Sequence, residues 1–288
     1  MKPASFDYVK PETLKHAAAL LAAHGDDAKI LAGGQTLVPM MNFRLVTPAV
    51  LIDINDVQGL NVIEQQDDHL RLGALVRWHE IQSSSLIARF HPLLAEAVNH
   101  IAHYQIRNRG TWAGSCAHAD PAAEFPAIAL ISDAKFSLMS AQGQRVLSAA
   151  DFFVGPLATD LRADEILASV DIPIIDSGSR WAFEEFALRT GDFAIAGIAV
   201  LILPENQDDR VRCVAFGVGD KARRLPTAEA ILTGSDMGRA AIREAAASIG
   251  ADLEVRADIH ASAEYRTALT TVLLERALER ALGSSRPL

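Results

Sequence analysis

The chain has 288 residues, 27 Lys+Arg against 36 Asp+Glu, a formal net charge of −9 and two cysteines. Half of its residues are apolar and 22% are charged, which fits a globular protein and excludes a disordered or fibrous one. The acidic balance argues against a phosphate-tracking nucleic-acid surface, and Cys116 and Cys213 are too few for a disulfide framework, a Cys-rich zinc module or a thiolate-held iron–sulfur cluster.

At ~100–200 residues per domain, the length suggests two domains or three small ones. Any electron-handling role would need an organic cofactor or a partner chain. The start, Met1–Asp7, carries no apolar h-region. The longest uncharged apolar run, Phe193–Pro204, is shorter than the ~20 residues of a spanning helix. A cytoplasmic protein is expected.

Pro11-Glu12-Thr13 opens an amphipathic helix with Leu14, Ala17, Ala18 and Leu21 on one face and Gly25 as its stop. Lys29–Ala32 and Val50–Ile54 read as short strands, closing a small α/β unit near Asn55. His69–Ala74 reads as a strand, and Trp78–Ile87 and Pro92–Ala102 as helices. A glycine-bearing loop, Arg107–Ser115, follows, and a helical run resumes over Pro126–Ile131. Lys135–Ser140 and Gln144–Ser148 form a hairpin pattern around Gly143, and Ile166–Pro173 is a further strand.

The polar segment Ile175–Arg180 marks a second boundary. Trp181–Leu188, Phe193–Leu203 and Arg210–Val218 read as strands, the last two joined by a turn at Glu205–Asp209. Helices are expected over Thr227–Leu232, Met237–Ile249 and Ala263–Leu282. The units so delimited are 1–55, 56–176 and 177–288.

Two segments could carry chemistry. Ala32-Gly33-Gly34-Gln35-Thr36 ends a strand, where paired glycines let consecutive N–H groups approach an anion. The alternative is a plain strand-ending turn. Gly110–Ser115 is a second such loop in the next unit. Two loops in successive α/β units suggest a ligand clasped between them.

Other patterns carry less. Gly217-Val218-Gly219-Asp220-Lys221-Ala222 matches G-x-G-x-x-A, but no apolar helix begins inside it, so a turn is expected. His100, His103, His118, Asp120 and Glu124 imitate a metal cluster without a specific spacing. Glu184-Glu185 could suggest a carboxylate pair, but strand neighbours face opposite sides. Hydrolase and kinase templates find no match.

Ala32–Thr36 and Thr111-Trp112-Ala113-Gly114-Ser115 resemble the two FAD-binding motifs of the molybdenum hydroxylase flavoproteins, the medium subunits of the carbon monoxide dehydrogenase and xanthine dehydrogenase family. The resemblance extends through Phe6-Asp7-Tyr8, Gln105–Gly110, His118-Ala119-Asp120-Pro121, Arg189–Ala194 and Asp258–Arg266. It is strongest to subunits of N-heteroaromatic and nicotine-pathway hydroxylases. The chain departs from the family pattern at Ala113, Ser115, Glu124 and Phe193.

The resemblance implies an α+β protein. Two N-terminal α/β subdomains would form a PCMH-type, vanillyl-alcohol-oxidase-like FAD-binding fold. A C-terminal domain of antiparallel sheet and helices would cover the flavin. It implies that Lys29, Leu31 and Ala32–Thr36 hold the FAD pyrophosphate, with Gly110, Thr111, Ala113, Gly114, Ser115, Ala117 and Glu124 completing that region. Ile101, Ala102 and Ile106 would line the flavin pocket, Leu167 would reach the isoalloxazine edge, and Phe193 would lie over it.

It further implies a heterotrimer, and a dimer of heterotrimers. A large molybdopterin subunit would oxidise the substrate, a small subunit with two 2Fe–2S clusters would relay electrons, and this chain would deliver them to an external acceptor. No catalytic side chain and no metal ligand is expected here, because the flavin carries the chemistry. The alternatives are a stand-alone flavin oxidase or dehydrogenase, with His103 or Tyr104 as base, and a flavin-free assembly module.

Overall fold

A computed structural model of the chain describes residues 2–204 and 209–283. Its architecture is α+β, built on three principal sheets. The turn expected at Glu205–Asp209 falls almost wholly outside the described residues.

The first sheet is parallel, with Val50–Asp53 between Asp7–Val9 and Ala28–Leu31. Val50–Asp53 is buried at every position, as a central parallel strand should be. The helix Leu14–His24 covers it with Ala17, Ala18 and Leu21, and Thr13 caps the helix by accepting from the His16 N–H. Asp7–Val9 has no apolar alternation and only three residues, so periodicity does not reveal it.

The second sheet is antiparallel, in the order Ile63–Gln65, His69–Gly73, Ile166–Pro173, Lys135–Met139 and Gln144–Ser148. The expected hairpin around Gly143 is present in it. The helix expected over Trp78–Ile87 is two helices, Trp78–Ser83 and Ser85–Phe90. Ser84 takes extended backbone between them and caps the second through the Ile87 N–H. Its hydroxyl offers the chain a cap in place of another helical turn.

The loop expected through Ser115 ends earlier, because Trp112–His118 is helical. Thr111 caps that helix by accepting from the Gly114 N–H at 3.0 Å. Gly114 suggests a loop in the sequence, but the cap and the buried Trp112, Ala113 and Cys116 outweigh its poor propensity. The next helix begins at Glu124, not Pro126; Pro126 sits in its first turn, where a missing N–H costs nothing.

The third sheet is antiparallel: Arg180–Phe186, Ala196–Ile202, Val211–Phe216 and Arg223–Arg224. The helices Pro226–Thr233, Arg239–Ala247 and Ala263–Ala281 pack on one face of it. The opposite face sends Phe183, Ala199, Leu201, Val214 and Phe216 into the core of the second unit. The strand expected from Phe193 begins only at Ala196. Charged contacts tie this seam: Arg280 bonds both Glu96 and Glu184, and Arg212 reaches Asp133 and the Ile131 carbonyl.

Candidate functional site: a cleft shared by all three sheets

One cleft of about 1400 Å³ runs between the first two units and under the edge of the third. Ordinary small-molecule sites occupy ~300–1,000 Å³, so this one suits an extended ligand. Its lining includes 18 of the 19 residues singled out above: Lys29, Ala32–Thr36, Ile101, Ala102, Ile106, Gly110, Thr111, Ala113–Ser115, Ala117, Glu124, Leu167 and Phe193. Leu31 is the exception. It lies beneath the turn, where a side chain added at Gly34 would meet its Cδ1 at 3.0 Å.

Strand Ala28–Leu31 runs directly into the first loop. Gly34 has φ +71°, a conformation that glycine adopts without strain. The N–H groups of Gly34, Gln35 and Thr36 donate to no main-chain carbonyl among the described residues. The Gln35 amide turns back to the Gly33 carbonyl at 3.3 Å and braces the loop. Thr36 makes no side-chain cap to the helix Leu37–Asn42, so capping does not occupy its hydroxyl. A run of such donors is a concavity for an anion.

The second loop approaches from the second unit. The Gly110 Cα lies 3.0 Å from the position of a Cβ on Gly33. Gly110 is itself closed in, since a Cβ there would stand 2.8 Å from the Trp78 ring. Thr111 and Ala113 are buried while Gly114 is exposed to the cleft. Ala113 lies inside the helix and is not among the residues of positive φ, so its methyl group is accommodated.

At the far end the cleft is apolar and open. Ile101 and Leu167 are buried in its wall, whereas Phe193 is 71% exposed at the mouth. Phe193 is therefore no core strand residue. Ala102 has φ +43° and faces Gly191, where a Cβ would come within 2.7 Å of the Ala102 carbonyl. Arg107 holds that turn by donating to the Ile101 and Ala102 carbonyls at 2.8 and 2.9 Å. A non-glycine residue in this region is strained, and such strain is kept where surrounding bonds over-determine it.

Glu124 is buried at the first position of its helix and faces the cleft. Burial pushes its carboxyl above the usual range, and Asp120 adds to the effect. Glu185 is raised as well, by burial and then by Glu124, and its Oε2 is buried without a hydrogen-bond partner. The carboxylate pair is thus Glu124 with Glu185. Glu184 faces the other way and binds Arg280. Two acids in one buried site do not both ionise near neutrality.

The sequence places the third unit over the flavin but, Phe193 apart, does not single out the residues of its wall. Arg266 is 4% exposed and donates to the Ile195 and Gly217 carbonyls and to Asp258 at the cleft edge. Gly217 does form a turn, at φ +75°, and its N–H reaches the Pro121 carbonyl at 2.8 Å. That turn is also cleft wall. Pairing Asp258 with Arg266, eight residues apart on a loop and helix, was the available signal. No three His, Cys, Asp or Glu side chains gather for a metal among the described residues; His100 packs on the Phe183 ring instead.

The FAD binding domain of molybdopterin dehydrogenases matches residues 4–175, and the CO dehydrogenase flavoprotein C-terminal domain matches residues 181–281. The chain belongs to the FAD-binding medium subunits of the molybdenum hydroxylase family. It is 42% identical to the 6-hydroxypseudooxynicotine dehydrogenase complex subunit alpha of Paenarthrobacter nicotinovorans, over 100% of this chain and 98% of that one. It is 41% identical to the nicotine 6-hydroxylase medium subunit of the same organism, over 98% and 99%. A chain of carbon monoxide dehydrogenase from Hydrogenophaga pseudoflava superposes with a TM-score of 0.94 at 36% identity, covering 99% of this chain and all of that one. This medium subunit is therefore an oxidoreductase component that binds FAD. The donor-rich Gly34 turn and the long cleft suit a dinucleotide with a central pyrophosphate.

Proposed function

We propose that this chain is the electron-delivery subunit of a heterotrimeric molybdenum hydroxylase acting on an N-heteroaromatic substrate. A small partner with 2Fe–2S clusters supplies the electrons, a large molybdopterin partner oxidises the substrate, and an external acceptor takes the electrons here. The nicotine-pathway relatives favour the substrate class. The complex is a cytoplasmic dimer of heterotrimers; the described residues include no helix long and apolar enough to cross a membrane. Units 1–55, 56–176 and 177–288 each contribute a wall of the cleft.

FAD, when bound, supplies the redox chemistry of this subunit. The chain's own residues orient and enclose it. The Gly34–Thr36 amides and the Thr36, Thr111 and Ser115 hydroxyls would donate to the pyrophosphate, with Lys29 adding charge at the open edge. Ile101, Ala102, Ile106 and Leu167 exclude water from one side of the ring system. Burial raises the Glu124 carboxyl to about 7, so near neutrality it can either donate a proton to a ligand atom or accept one from it. Phe193 presents an aromatic face at the exposed end, where a partner or acceptor can approach.

The observation that carries this reading is one cleft lined by both glycine-bearing loops and opening at Phe193. The test is affinity purification of the tagged chain from cells that express its neighbouring genes. Stoichiometric FAD, iron and molybdenum with two further chains are expected. Isolation as a lone active flavoenzyme without iron or molybdenum contradicts the proposal.

A further inference from the structure

The first glycine-bearing loop leaves the strand Ala28–Leu31 and the second joins the helices Tyr104–Arg107 and Trp112–His118, so contacts between separate units must hold them at a fixed separation. We propose that Arg77 and Asn55, which do not line the cleft, are positioning residues that buckle the two loops together and thereby set FAD affinity. The inference rests on the pyrophosphate reading of those loops.

Asn55 belongs to the first unit. Its side-chain amide donates to the Ala32 carbonyl at 3.0 Å, at the root of the first loop. Its own N–H donates to Asp53 Oδ1 at 2.9 Å, and the Tyr8 hydroxyl donates to Asp53 Oδ2. The amide is therefore fixed from behind by the sheet.

Arg77 belongs to the second unit, just before the helix Trp78–Ser83. One guanidinium nitrogen donates to Asn55 Oδ1, and the other to the Arg109 carbonyl at the root of the second loop. The Arg77 main chain pairs with Thr111 as an isolated antiparallel bridge. Its flanks are pinned too: the Trp78 N–H reaches the Gly110 carbonyl at 3.1 Å, and the Trp112 N–H reaches the Val76 carbonyl at 3.3 Å. Glu80 accepts from the Arg77 N–H at 2.6 Å.

The result is a continuous path from Ala32 through Asn55 and Arg77 to Arg109. It needs a planar fork with two divergent donors, which lysine does not have. Charge at position 77 costs desolvation and meets repulsion from Arg109; both effects lower the Arg77 pKa. A residue kept in that position despite both costs has a geometric task.

The test uses the full-length chain, stripped of FAD and titrated with it. Arg77→Gln, Arg77→Lys and Asn55→Ala should each raise the FAD dissociation constant about tenfold, the scale of losing a charge-assisted bond. The double variant Arg77→Gln/Asn55→Ala should be little worse than the weaker-binding single variant, because both cut one path. Amide exchange at 32–36 and 109–115 should quicken in each apo variant. Wild-type affinity in Arg77→Lys would overturn the fork and point to charge alone. A lower apo melting temperature with unchanged affinity would also overturn the proposal, as a merely structural role. If Arg77→Gln does not fold, Arg77→Lys and Asn55→Ala decide. Lys29→Met and Thr36→Val probe the cradle itself. Weakened FAD there with no loss in the Arg77 variants overturns the buckle alone; no loss in either set contradicts both readings.

Discussion

A methyl group on Gly33 would stand 3.0 Å from the Gly110 Cα and run into the Arg109 carbonyl. The two glycine-bearing loops thus touch backbone to backbone, and the neighbouring loop alone requires Gly33 to be small. Gly33→Ala should push the loops apart and weaken FAD retention by tenfold or more. Gly250→Ala is the control, since a Cβ there meets nothing within 4 Å. Flavin content after gel filtration reads both; equal retention in the two variants would contradict the contact.

The Glu124–Glu185 pair predicts an alkaline loss of stability. Both carboxyls are raised by burial, so the folded state keeps protons that the unfolded state has released above about pH 4.3. Stability is therefore full in acid with respect to this pair and falls as pH rises through neutrality and beyond. Glu185→Gln should remove much of that slope and stabilise the chain by about 1–3 kcal/mol at alkaline pH, by ending the burial of a second ionising acid. Melting temperatures from pH 6 to about pH 9 check this; parallel curves for the two proteins would contradict it.

His91 predicts an opposite slope on the acid side. It is fully buried, caps the helix Pro92–His100 through the Leu94 N–H, and meets the Ser132 hydroxyl at 2.9 Å. Burial lowers its pKa to about 3. The unfolded imidazole protonates below about pH 6.5 while the folded one stays neutral, so stability is lost as pH falls through that window. His91→Asn retains a capping acceptor and cannot charge. Its melting temperature should fall less than the wild type's between pH 7 and about pH 4.5.

Phe193 separates packing from function. At 71% exposure its removal should leave thermal stability within about 0.5 kcal/mol. Phe193→Ala should nonetheless alter the rate at which bound flavin exchanges electrons with an external acceptor, measured by stopped-flow reoxidation. Phe193→Tyr should preserve that rate. An unchanged rate in Phe193→Ala would remove this residue from the flavin's surroundings.

Much of this was legible in the sequence because its signals were local. Gly33-Gly34 after a short strand and the glycine-bearing segment Gly110–Ser115 state their chemistry within a few residues, and the family resemblance joined them. What was not legible depends on distant pairing. Asp7–Val9 is a strand only because Val50–Asp53 lies beside it. Glu185 finds Glu124 only because the third sheet lays one face on the second unit. Arg77 and Asn55 carry no motif at all; their meaning is the gap they bridge. The helix Trp112–His118 was hidden by Gly114, whose low propensity is offset by a cap and three buried neighbours.

The most direct measurement is a crystal structure of the chain loaded with FAD. The account predicts the pyrophosphate within hydrogen-bond distance of the Gly34–Thr36 amides and the Thr111–Ser115 segment, with the isoalloxazine end toward Leu167 and Phe193. A pyrophosphate bound away from both loops, or a flavin ring at the Lys29 end, would contradict it.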